Sequence, residues 1–108
     1  MSLTLSDSGT TTPVVNTPST LLTDTNNGVF EFSIDTTNMV LGDLLLVQIN
    51  TICLSGGSQL LVWEAFYQHS QLCPLKKSPW VGSDQSIQVV INQTAGTARA
   101  FAWKMLRA

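Results

Sequence analysis

The chain has 108 residues, 44% of them hydrophobic and 11% charged, and a formal net charge of −2. Soluble domains average about 25% charged residues, so this surface lacks the charge that keeps small proteins apart and is expected to be covered by copies of itself or by a partner. The length allows one domain. The acidic balance, with Lys76-Lys77 as the one basic pair, excludes a counterion-displacing grip on nucleic acid, and no apolar run is long enough to cross a membrane.

Residues 1–20 are half Ser and Thr, with Pro13 and Pro18 and a few scattered apolar side chains. They contain no cationic stretch followed by an apolar run, so they do not read as a secretory signal, and a reducing cytoplasm is the expected setting. Such a segment cannot bury enough surface to offset its own ordering entropy. It reads as an extended N-terminal arm, dispensable for folding and ordered against a neighbour, with Leu3, Leu5, Val14 and Val15 as its anchors.

From Leu21 onward the apolar residues follow a period of two. A strand around residues 21–24 and the turn Asn27-Gly28 lead into Phe30, Phe32 and Ile34, which alternate with Glu31, Ser33 and Asp35; this predicts a hairpin with one buried face. Residues 44–54 are apolar on both faces, as in a covered central strand. Ser55-Gly56-Gly57-Ser58 predicts a hairpin into residues 59–67, again apolar on both faces except at Glu64, which is expected to meet Arg99 or a lysine. Residues 68–84, with Pro74 and Pro79, read as an irregular or edge segment. Ile87, Val89 and Ile91 mark another strand, the turn 94–97 reverses the chain, and Arg99, Phe101, Trp103 and Met105 line one face of the last. These short strands predict a single all-β domain over residues 21–108, an antiparallel β-sandwich of jelly-roll type.

No motif supports catalysis. There is no nucleophile elbow, phosphate loop or HExxH, and His69 in a loop reads as a polar surface residue rather than a general base. Asp24-Thr25-Asn26-Asn27-Gly28 departs from a calcium loop, whose glycine is sixth and whose twelfth residue is Glu. Cys53 and Cys73 have no metal-ligand spacing and read as buried or half-buried free thiols, so no cofactor or metal is expected. Trp63 and Trp103 fall at inward positions. Trp80, beside Pro79, is the tryptophan expected at the surface, where it suits an interface or a sugar platform equally.

Across the chain stand Leu22-Thr23-Asp24, Gly28 with Phe30 and Phe32, Ile34-Asp35, Met39, Gly42-Asp43, Leu54-Ser55-Gly56-Gly57, Lys77-Ser78-Pro79, and Gln93 to Thr97 with Arg99, Phe101, Trp103 and Leu106. This pattern resembles the small virion proteins of tailed bacteriophages that act as capsid cement or decoration proteins. The resemblance implies a non-enzymatic protein on the capsid surface, assembled in the host cytoplasm, that binds the major capsid protein as a homotrimer or homodimer. Within that expectation Leu3, Leu5, Val14, Val15, Pro79 and Trp80 are the contact residues. A tail or baseplate component and a carbohydrate-binding module are the alternative readings.

Overall fold

A computed structural model describes residues 3–108. It contains nine strands: β1 (Thr4–Thr11), β2 (Ser19–Asp24), β3 (Gly28–Asp35), β4 (Leu44–Ile52), β5 (Gln59–Gln68), β6 (Leu75–Lys77), β7 (Val81–Ser83), β8 (Ile87–Ala95) and β9 (Phe101–Arg107). They form two antiparallel sheets. One runs β1-β9-β3 and ends in β6 and β7, which both pair with β3; the other runs β2-β8-β4-β5.

The wiring follows from which strands share a sheet. Only β4 and β5 form a hairpin within one sheet. Apart from β6 and β7, every other pair of successive strands lies in opposite sheets, so the chain winds around the sandwich as a jelly roll. This corrects the expected hairpin at Asn27-Gly28, because β2 pairs with β8 across Thr20↔Val90 and Asp24↔Ile87 rather than with β3. The same Asn-Gly signal that turns a hairpin can carry the chain over the sandwich edge when each flanking strand finds a longer ladder elsewhere.

The period-two pattern fills the core. Phe30, Phe32 and Ile34 of β3 with Phe101, Trp103 and Met105 of β9 face Leu45, Val47 and Ile49 of β4 and Ile87, Val89 and Ile91 of β8, and Met39 closes one end. Phe32 and Trp103 lie with ring centroids 6.4 Å apart in a tilted contact, a spacing within the favourable range for aromatic pairs.

Two stretches of the Ser- and Thr-rich segment are strand residues, Thr4–Thr11 and the start of Ser19–Asp24. β1 completes the first sheet by pairing with β9 from Thr4↔Arg107 to Thr11↔Phe101, and residues 19–20 begin β2 in the other. Gly9 lies opposite Trp103, and a Cβ there would stand 3.1 Å from the indole ring. The missing side chain lets the strand lie close to Trp103, whose Nε1–H donates to Thr11 Oγ1 at 3.1 Å. Composition understated this segment because a polar strand needs no core of its own when a neighbour supplies its ladder and an aromatic ring to cover.

The loops at one end of the sandwich are tied by two buried polar side chains. Asp43 is 1% exposed; its Oδ2 accepts from Arg99 Nε at 2.8 Å and from the Val40 N–H at 3.0 Å, and its Oδ1 from the Thr97 N–H at 3.3 Å. Gln93, fully buried, accepts from the Arg99 N–H and donates to the Ala95 and Thr97 carbonyls. Gly96 has φ +94°, and a side chain there would run into Asp43. Arg99 therefore meets Asp43, not Glu64, whose carboxylate accepts from Gln48 Nε2 at 2.8 Å.

Candidate interaction surfaces

The two outer faces of the sandwich differ in charge. Glu31, Asp35, Lys77 and Lys104 lie on strands of the first sheet, where Lys77 Nζ sits 3.4 Å from Glu31 and donates to Ser33 Oγ at 3.1 Å. Strands β4, β5 and β8, which make up most of the second sheet, carry one formal charge among them, Glu64.

Four exposed apolar side chains lie on β5, while Leu41, Leu54 and Leu72, more exposed still, stand singly in loops. Leu60, Leu61, Val62 and Phe66 are 58%, 53%, 47% and 47% exposed, while Trp63, Ala65 and Tyr67 turn toward the core. This corrects the expectation that both faces of the strand are covered. β5 is the outermost strand of its sheet, paired on one side with β4 only. An apolar two-sided sequence marks either a buried central strand or an edge strand with a partner, and the pattern alone does not separate the two.

The four sheet edges are protected unequally. β6 and β7 are three residues each and are preceded by Pro74 and Pro79, with Lys76 and Lys77 on the edge. β1 has a register shift between Leu5 and Asp7 and is followed by Pro13; β2 has one between Thr20 and Leu22 and is preceded by Pro18. Short edges, proline, lysine and bulges are how proteins keep strands from pairing with other chains. β5 runs ten residues without proline or lysine, with one register shift opposite Ile49/Asn50, so that Val62 bulges and the segment after it is regular.

The six contact residues expected from the sequence fall into two groups. Thr4, Arg107, Phe30 and Val81 form one row across the first sheet. Leu3 and Leu5, 54% and 55% exposed, flank Thr4 at one edge, and exposed Pro79 and Trp80 precede Val81 at the other. Three strand spacings, ~14 Å, separate these edges. Val14 and half-buried Val15 lie past the far end of β1, ~25 Å along the strand, in a loop fixed by the Asn16 N–H on the Gln93 carbonyl. Leu61, Val62 and Phe66 were not among the expected contacts.

His69, Asp24 and Asp43 have structural partners. His69 adopts φ 60° after β5; its N–H donates to the Asp43 carbonyl at 2.7 Å and its Nδ1 accepts from the Gly42 N–H at 2.9 Å. Asp24 accepts from Ser6 Oγ and from both the backbone and side-chain N–H of Asn26. Burial pushes its carboxyl up, but these bonds and the Arg107 charge outweigh burial and hold it below the ordinary range. At Asp43 burial likewise acts upward and is outweighed by the bonds from Val40, Arg99 and Thr97 and by the guanidinium charge. Cys53 and Cys73 are free thiols, both exposed, which corrects their expected burial. Among the described residues no three His, Cys, Asp or Glu side chains gather where they could hold a metal ion.

Comparisons with protein-family models, with curated proteins and with solved structures find no match.

Proposed function

We propose that this chain is a non-enzymatic phage structural protein that binds and stabilises an assembled capsid as a homo-oligomer, in the manner of a cement or decoration protein. One observation carries the reading: an exposed apolar strip on β5 at the rim of a nearly uncharged sheet. Leu61 and Phe66, opposite Asn50 and Leu46, share the outer face of the sheet with Val62 at the bulge between them, and exposed apolar side chains grouped in this way mark an interaction site. Jelly-roll wiring supports the reading by analogy only, since viral capsid and lectin domains share it.

The geometry suits two separate contacts. The β5 strip faces a like copy, and the end of the charged sheet bearing Leu3, Leu5, Pro79 and Trp80 faces the capsid. A lattice presents its binding site many times, so a multivalent ligand gains avidity from weak single contacts and stabilises the assembled form over free subunits. Trp80, 41% exposed beside Pro79, has the profile of a contact hot spot.

Cosedimentation of the purified chain with phage heads tests this. The triple variant Leu3→Ser, Leu5→Ser, Trp80→Ala is expected to keep its fold and lose at least tenfold in affinity for heads. Undiminished binding by the variant refutes the assigned surface, and failure of the wild type to cosediment refutes the cement reading.

A further inference from the structure

We infer that β5 is a self-pairing edge: two copies of this chain join antiparallel through residues 62–68, merging their four-stranded sheets into one of eight strands. The inference rests on the oligomeric part of the reading above and is independent of what the oligomer binds.

The four sheet edges contrast. Three are blunted by shortness, proline, lysine or bulges, whereas β5 offers an unpaired, regular backbone from Trp63 to Gln68. A long apolar edge left in this state is a template for another strand. Antiparallel pairing about a two-fold axis lets the same strand serve as both template and addition, which closes the assembly at two copies.

Glu64 is the only charge on the strand, so it decides which register is tolerated. A register centred on Glu64 sets the two carboxylates directly opposite, which destabilises a pair of strands. One centred on Ala65 sets Ala65 against Ala65, Trp63 against Tyr67 of the second copy on the inner face, and Glu64 against Phe66 on the outer. Its regular part, residues 63–67, lies past the Val62 bulge, and Gln68 stands opposite Val62 at each end.

Of the exposed β5 side chains, Val62 and Phe66, each 47% exposed, fall within the paired residues 62–68, and Leu60 and Leu61 lie just outside them. Pairing sets Val62 against Gln68 and Phe66 against Glu64 of the second copy and satisfies the free backbone edge from Trp63 to Gln68. The stretch carries no charge other than Glu64, which points to an equally uncharged partner strand, and a second β5 is one.

Sedimentation equilibrium on the full chain with two variants tests the inference. The wild type is expected at twice the chain mass. Phe66→Glu places two new carboxylates opposite Glu64 and is expected to weaken dimerisation at least tenfold; Phe66→Lys places an ammonium there and is expected to retain it. Phe66 is 47% exposed and outside the core, so both variants should fold, which circular dichroism checks. If both destabilise the fold, Gln68→Glu and Gln68→Lys, opposite Val62, leave the Glu64–Phe66 pair intact and are expected to dimerise alike. A monomeric wild type overturns the inference, as does equal loss of dimer in Phe66→Glu and Phe66→Lys. Capsid attachment by a wild-type monomer would leave the cement reading standing, so the two ideas fail separately.

Discussion

Asp43 shows how one side chain can hold several loops. Its carboxylate joins the segment before β4 to the β8–β9 connection through Arg99 and Thr97, while its carbonyl receives the N–H of His69. The Arg99 side chain is 30% exposed and Asp43 keeps the Val40 and Thr97 N–H bonds without it; a hydrogen bond to a charged group contributes about 1.5–3 kcal/mol, so Arg99→Ala should lower stability by an amount in that range in chemical denaturation. The Asp43 carboxyl lies below its ordinary value in the folded state. A depressed acid contributes stability that is present above its unfolded pKa, about 3.9, and is lost as pH falls through the folded value. Unfolding titrations should therefore show the wild type losing its advantage over Asp43→Asn as pH falls below about 4; an advantage unchanged down to pH 2 would contradict the role given to this carboxylate. In the sequence, Gly42-Asp43 stands only as one part of the pattern that carries the resemblance. The Arg99 contact was not legible, because the two residues are joined by loops whose paths the strand pattern does not specify.

Among the elements, the least legible was β1. A strand made mostly of Ser and Thr carries no buried face, and its place depends on Gly9 fitting Trp103 and on the open edge of β9. Strands β3, β4, β8 and β9 were legible because their alternation is what a two-layer core demands. Whether β2 paired with β3 or β8 was not, since local turn chemistry suits either path. Deleting residues 1–11 should expose the β9 edge and the Trp103 ring and remove the Thr11 hydrogen bond. Losing that bond and the cover on the indole is worth about 2 kcal/mol, a fall of roughly 10 °C in Tm for a domain of this size. Differential scanning calorimetry of the truncated chain checks this, and an unchanged Tm would return the segment to the status of a separate arm.

At the scale of the whole molecule, the low charge noted at the outset resolves into a two-faced sandwich. The Lys77–Glu31 pair sits on the sheet containing β3 and β9, and the sheet containing β4, β5 and β8 is left nearly neutral with an apolar rim. Composition pointed to a covered surface without locating it, because Leu60 to Phe66 reads as core until β5 is known to be an edge. The proposed arrangement uses that rim for a second copy and the opposite sheet's Leu3, Leu5 and Trp80 end for the lattice. Peptide mass spectrometry across a density gradient of a producing culture, with tail-less heads resolved from complete particles and free tails, tests the central proposal most directly. Peptides of this chain in the head fractions, at copy numbers comparable to the major capsid protein, are the predicted result; their confinement to free tails or to the unsedimented fraction would contradict it.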